Sequence, residues 1–588
     1  MPLTPHSGPL GRRGAAHLLR RATYGPTIAQ IKTFSGLTAA QAIQQLYHQA
    51  LPDAPPPVDP DNNDDPWVIT GNTATDKMEF EYQEHFKQWF IGQMMSAGVP
   101  AAQSLAYSAR EKLVFFIHSH LTAITEKIGS SRALYYQNQL FRLYALDDVP
   151  SPVVPADKLN FKELTKKICV DNAMLNLLDG TINIRGGNEN FGRELLELYT
   201  IGRGLEGEDV IAGLEQGDYF YYTEADVQAA AKIFSGFEFD NSFGTTDAVN
   251  NIDPDTLLPR GKVRGTVANA SAHDNNPKQF SERFGNAVIE PDPLLVSGTN
   301  ATQASALDEI SRFIDLIYDQ EETAKNICRK IYRFFMYHEI TVALSDDIIT
   351  QMANTFRTND FKVQPVIEEL LSSQHFYNNN SAPYTDDAFG GIIKSPLEVI
   401  LGTNRFFGIQ FPDMTTSSAD FYAQAGEVVT EMKTMGMDFY QPFDVAGYDA
   451  YHQFPIYHRS WITVNNLTNR YNFINGFLPG IELYQFIRDN IDFAEASDAR
   501  RLVIDLASFV LPRTENLTFD TAVDETLEAT LTSERLLYFK IKFLDIIDPD
   551  PEAAWTERYT TQTGINTMEG QLQNLFNAML QSPEYQLQ

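Results

Sequence analysis

Apolar and aromatic residues recur at helical spacing over most of this chain. Three runs carry the pattern most clearly: DKMEFEYQEHFKQWFIGQMM from residue 76, SAREKLVFFIHSHLTAI from 108 and SRALYYQNQLFRLYAL from 131. Before them, residues 13–50 read as two short helices. The first is stopped by Tyr24-Gly25-Pro26, and the second runs from Thr27 to Gly36. Residues 51–66, LPDAPPPVDPDNNDDP, are too rich in proline and aspartate for a regular element. Helical periodicity continues at 158–180, 188–202 and 223–236, where Thr223 and Asp226 have capping spacing, and again at 302–337, 346–376 and 394–408. It closes the chain at 459–489, 496–511, 524–546 and 566–582, after an irregular aromatic stretch at 411–458.

Two interruptions stand out. Between 237 and 300 short strand-like pieces such as GKVRGTV alternate with Asp, Asn, Pro and Gly, and 378–391 is an Asn/Ser/Asp loop. The pattern predicts a mainly α protein, a multi-helix globular bundle with a loop-rich excursion that holds a small β-hairpin. Its organisation would be a helical segment at 1–50, a Pro/Asp linker at 51–75, and a helical core at 76–410 carrying the excursion 237–300. Residues 411–588 would pack with that core as one unit.

Composition narrows the class of partner. Of 588 residues, 43% are hydrophobic and 12% aromatic, enough for a large folded core. The formal net charge of −32 argues against nucleic acid or an anionic membrane as the main partner. Only two cysteines occur, Cys169 and Cys328, each inside an apolar helical run, so a disulfide framework is excluded. Neither a secretory leader nor an uncharged apolar run of about eighteen residues is visible.

Three constellations could carry chemistry. In RGGNENFGRELLELYTIG, residues 185–202, a regular helix would put Asn190, Glu194 and Glu197 on one face and Phe191, Leu195 and Leu198 on another. Two neighbouring carboxylates repel unless a cation, a proton or an arginine lies between them. Arg185 and Arg193 could supply that without any function, and a metal or acid/base role is the alternative. In FFIHSHLTAI, His118 and His120 would diverge by about 200° on a helix, with His120 on the stripe of Leu113, Phe116 and Ile117. They are either core hydrogen-bonding groups or parts of a site. In AHDNNPKQFSERFG, His273-Asp274 lies in the excursion, where a general base or metal ligand is one reading and a loop-former the other. His452 and His458 sit among aromatics and read as packing or sugar-contact residues. No phosphate loop, dinucleotide fingerprint, G-x-S-x-G elbow or H-E-x-x-H motif is present.

Six ordered segments share a further property. AAHLLRRATYGPT, FFIHSHLTAI, NENFGRELLELYTIGRG with YTEADVQAAAKIFSGF, HDNNPKQFSERFG, KSPLEVILGTNRFFG and NNLTNRYNFINGFL together resemble the bacterial domain of unknown function 1800 over nearly the whole chain. The resemblance carries no established reaction. It keeps both histidines of a W-H-N-H-F-like segment, as His118 and His120, and it keeps Glu189, Asn190, Arg193, Glu194 and Glu197, the His273-Asp274 pair and Pro277-Lys278. It departs at Tyr199, where relatives commonly have histidine. It also implies a neighbour that looks like the phosphatase and sulfatase superfamily and a shared pathway in the cell envelope.

Two functions are consistent with these residues. In the first, a hydrolase or lyase acts on a cell-envelope or extracellular polymer. Its catalytic candidates are Glu194, Glu197, His273 and Asp274, either with a divalent metal on His118, His120, Glu194 and Glu197 or without one. In the second, the same residues form a buried polar network in a scaffold or export partner of the phosphatase-like neighbour. Its contact surface would be the aromatic segment 438–461.

Overall fold

The computed structural model describes residues 3–70, 77–207, 218–243, 251–377, 391–512, 514, 516–522, 531–544 and 548–588. It is mainly α. Among these residues the regular β-structure consists of two two-stranded antiparallel sheets, both in the excursion. Phe237–Glu238 pairs with Lys262–Val263, and Lys278–Gln279 pairs with Val288–Ile289. No described helix is long and apolar enough to cross a membrane.

The helix Ser104–His120 runs through the centre, and every residue from Leu105 to His120 is buried. Its apolar residues are spread around the helix and are not gathered on one face, as a helix surrounded by others requires. The helices Ala39–Tyr47, Glu79–Met94, Ser131–Tyr144 and Glu321–Phe335 pack around it. Each fully buried Leu, Ile or Phe in these contacts contributes about 1.5–3 kcal/mol of transfer free energy. The one acid of the central helix, Glu111, is held between Arg110 at 3.0 Å and Arg142 at 2.6 Å. Both cysteines are buried free thiols.

Local sequence explains most helix starts. Thr27 with Gln30, Thr38 with Gln41, and Ser395 with Glu398 form reciprocal capping boxes, and Pro396 opens the last of these helices. Asp226 accepts from the Thr223 backbone N–H at 2.8 Å, as the spacing predicts.

Three readings of the pattern need correction. The region 13–50 contains three helices, Gly11–Ala22, Ile28–Ser35 and Ala39–Tyr47, because the Thr38 box starts a third one. The stretch 411–458 is not irregular throughout: Ser418–Thr434 is a helix that packs on Glu79–Met94. Within 188–202 the α-helix covers only Asn190–Glu194 and then widens into one π-helical turn, Leu195–Tyr199. Residues 378–390 of the Asn/Ser/Asp loop and 523–530 of the 524–546 helix lie outside the described residues, while Ser533–Phe543 is helical.

The excursion and the chain's two ends converge on this frame. The N-terminal helix donates from Arg12 to Asp505 at 2.6 Å, on the helix Ala499–Val510. Ile393 bridges Leu587, and the Lys394 N–H donates to the Gln586 carbonyl at 2.8 Å.

Candidate acid and base site at the π-turn

The central helix ends in the two histidines, and they face different neighbours. The His118 ring stacks on Tyr440, with centroids 3.8 Å apart and planes 14° from parallel. Both of its nitrogens are buried without a hydrogen-bond partner among the described residues, and burial lowers its pKa to about 3, which keeps the ring neutral. His120 points toward the π-turn, where its Nε2 donates to the Tyr199 carbonyl at 3.0 Å. Burial, and after it the charge of Lys330, hold His120 well below the ordinary histidine range.

The π-turn sets the acids beside that histidine. The widened turn is closed by bonds that reach further back than the α-pattern: the Thr200 side chain donates from Oγ1 to Leu195 O, five residues back, at 2.6 Å, and Gly202 N donates to Leu196 O, six back, at 2.8 Å. Gly202 has φ +73°, and a Cβ there would meet the Asn326 amide at 2.8 Å, so glycine is required. Asn326 in turn donates to the Thr200 carbonyl at 2.7 Å and locks the turn onto the helix Glu321–Phe335.

The two glutamates are then treated differently. Glu197 forms an ion pair with Arg203 and takes a long contact of 3.5 Å from the Tyr222 hydroxyl. Glu194 has no hydrogen bond or ion pair among the described residues. Arg193, its sequence neighbour, is engaged by Glu224 at 2.7 Å and Glu189 at 3.3 Å. Burial, and after it the charge of Glu197, raise the Glu194 pKa to about 7, with Arg193 and Arg203 opposing and Asp444 adding to the rise.

Two further features of the surroundings were not singled out for chemistry by the sequence pattern: the turn that carries Asp444, which bears on Glu194, and Lys330, which bears on His120. The turn Asp444–Gly447 sits on the end of the central helix, where a Cβ on Gly447 would meet Thr122 Oγ1 at 3.1 Å. Tyr199 donates its hydroxyl to Val445 O in this turn at 3.1 Å. Asp444 lies 3.9 Å from the His452 ring. Lys330 stands one helical turn beyond Asn326, half-buried, with no hydrogen bond or ion pair among the described residues. Burial, aided by Arg333 and opposed by Glu206, lowers its pKa to about 8, and its charge is felt by both His120 and His452. Lys330 is hidden in the sequence as one cation of an amphipathic helix. What distinguishes it is burial with no ion pair among the described residues, and that is a tertiary property.

His273 and Asp274 belong to another cluster. His273 Nδ1 donates to the Ser235 carbonyl at 2.9 Å, and its Nε2 is 3.2 Å from Glu309 Oε2, which also takes the Lys278 ammonium. The side chains of His273, Lys278 and Glu309 are completely sealed. Asp274 instead closes its own loop, accepting from the Asn276 backbone and side chain at 2.8 and 2.9 Å. Among the described residues no hydrogen bond or ion pair links this cluster to Glu194 or Glu197. The helix Glu224–Ile233 intervenes, with Gly192 against its Ala230 and the following Gly236 against His273. His458, the remaining aromatic-segment histidine, donates through Nε2 to His338 Nδ1 at 2.9 Å, because its Nδ1 accepts from the Ile393 N–H.

No group of three or more His, Cys, Asp or Glu side chains converges for a metal among the described residues. His118, His120, Glu194 and Glu197 therefore do not form a ligand shell: His118 is spent on an aromatic stack and His120 on a carbonyl. The segment 438–461 is also not an exposed aromatic patch. Phe439, Tyr440, Tyr448, Tyr457 and Trp461 are buried, and only Phe443 and Phe454 stand clearly out, at 95% and 53% exposure.

The family model described as "Protein of unknown function (DUF1800)" matches residues 17–587. The chain belongs to this family. Searches of curated proteins and of solved structures find no match. The DUF1800 match includes every residue of the π-turn site and of the His273 cluster. Within this DUF1800 chain Tyr199 is structural, its carbonyl holding His120 and its hydroxyl holding the Asp444 turn.

Proposed function

We propose that this protein is a hydrolase or lyase of a cell-envelope or extracellular polymer, with Glu194 as the group that transfers the proton. The observation that carries the proposal is the state of Glu194: a half-buried carboxyl with no hydrogen bond or ion pair among the described residues, beside a second carboxylate already claimed by Arg203. A carboxyl near 7 can donate a proton to a leaving group and take one back at neutral pH. Lys330, whose charge bears on His120 and which has no hydrogen bond or ion pair among the described residues, is assigned to a developing or resident negative charge on the substrate. His120 stays neutral and anchors the Tyr199 backbone, which makes it a positioning residue.

Tyr199, His120 and Asn326 hold the turn from three sides, so the pair of carboxylates is presented on a rigid element. Both glutamates leave from one helical turn, unlike the opposed carboxylates that flank a glycosidic bond in glycosidases. One acid/base carboxyl working with Lys330 fits that arrangement better than a carboxylate dyad does.

The scaffold reading gains nothing from the aromatic segment, most of which is core. Product release from a panel of envelope and extracellular polysaccharides and peptides tests the proposal. Glu194→Gln is expected to lower the rate by a factor of about 100 or more while the protein stays folded. Equal rates for Glu194→Gln and the unaltered protein on a polymer that is cleaved would remove Glu194 from the chemistry.

A further inference from the structure

A second set of unbalanced charges lies far from the π-turn in sequence, where the N-terminal helix meets the C-terminal end. Arg20, Tyr24, Lys394, Glu398, Phe509 and Tyr585 line a cavity of about 40 Å³. Lys394 is 6% exposed, and its ammonium lies 3.5 Å above the centroid of the Tyr585 ring. It has no hydrogen-bond acceptor and no carboxylate partner among the described residues. Arg20 spends donors on the Leu511 and Phe509 carbonyls, and Arg470 on Gln586 Oε1 and the Lys394 carbonyl; neither has a carboxylate partner among the described residues.

The cavity's acid cannot balance them. Glu398 is already paired with Lys112 and also accepts from Gln588 Nε2 at 2.8 Å and the Ser395 N–H at 2.8 Å. Two cations, Lys394 and Arg20, therefore meet at this small void, with Arg470 bonded to the Lys394 backbone beside them, inside a protein whose formal net charge is −32. A buried charge without a counter-ion is costly, and removing the cost takes either deprotonation or a bound anion. The void is large enough for the second route, since one water needs only about 10–15 Å³ on the same measure.

We infer that this cavity binds one small inorganic anion, of chloride to phosphate size, between the Lys394 ammonium and the Arg20 guanidinium. The Tyr585 ring covers one face of the ammonium and leaves its remaining N–H groups for the ion. The ion ties together the N-terminal helix, the helix Pro396–Phe406 and the C-terminal turn Glu584–Gln586. It is a structural ligand, separate from the π-turn chemistry.

The full chain is unfolded by heat at constant ionic strength while gluconate, too bulky for the cavity, is exchanged for chloride, bromide or phosphate. The midpoint is expected to rise saturably by several degrees with a small anion, and Lys394→Met to abolish that rise. Crystals of the unaltered protein grown in bromide are expected to show an anomalous peak within hydrogen-bonding distance of Lys394 Nζ. A midpoint indifferent to the anion overturns the inference, and so does bromide found on the outer surface as an adventitious ion only. If Lys394→Met does not fold, the bromide map of the unaltered protein decides.

Discussion

Glu194 and Glu197 leave the same turn of helix, yet among the described residues only Glu197 is answered by a cation, Arg203. The asymmetry arises because Arg193 is drawn away to Glu224 and Glu189. One carboxylate is thus a fixed negative charge beside the other, and the other is left to titrate near neutrality.

That arrangement makes stability depend on pH in a defined direction. The folded pKa of Glu194, about 7, lies above its ordinary value of 4.5, so the folded state binds the extra proton in this window. Its contribution is zero below 4.5, grows more unfavourable as pH rises from 4.5 to 7, and is constant above 7. Glu194→Gln is expected to be more stable than the unaltered protein at pH 8 by about 1–2 kcal/mol, after discounting for partial exposure, and equal to it at pH 4. Urea unfolding at the two pH values measures the difference.

His118 gives the opposite slope. Its folded pKa of about 3 lies below the ordinary 6.5, so its contribution to stability is present above 6.5 and is lost as pH falls toward 3. His118→Phe preserves the stack on Tyr440 and removes two nitrogens that have no hydrogen-bond partner among the described residues. Its stability at pH 7 is expected to stay within about 1.5 kcal/mol of the unaltered protein, with a flatter acid limb. A loss well beyond that, accompanied by loss of a stoichiometric metal in elemental analysis, would restore the ligand role.

The sealed His273, Glu309 and Lys278 cluster is expected to be fragile. Glu309→Gln leaves a buried ammonium without its carboxylate, at a cost of about 3–5 kcal/mol. Guanidinium unfolding gives that cost. Because the cluster is separated from Glu194 by the Glu224–Ile233 helix, the pH profile of any polymer cleavage is expected to keep its midpoint in the variant that remains folded.

Gly202→Ala tests the π-turn itself. Positive φ and the Asn326 contact together predict a loss of about 1–3 kcal/mol. Cleavage is expected to fall more steeply than stability, since the substitution shifts the turn that presents Glu194. Comparing the rate with the unfolding midpoint separates the two effects.

Much of this was legible in the residue pattern. Helical periodicity identified a mainly α fold, the strand-like pieces after 237 marked the β-structure, and Thr223 with Asp226 announced a helix start that the backbone confirms. These are local signals, fixed by side-chain spacing and by turn and cap chemistry. The helix Ser418–Thr434 escaped because flanking aromatics and glycines masked its period.

The state of the site was not local. A sequence places Glu194 beside Glu197 and Arg193, but which arginine answers which acid depends on Glu224, 31 residues away in the chain. Likewise Lys330 is one charge among many until packing buries it with no ion pair among the described residues, and His118 is a ligand candidate until Tyr440 covers its ring. The sequence by itself determined the elements and the list of chemical groups. Tertiary structure decided which groups are paired and which are left to react, because desolvation and charge pairing act through space and not along the chain.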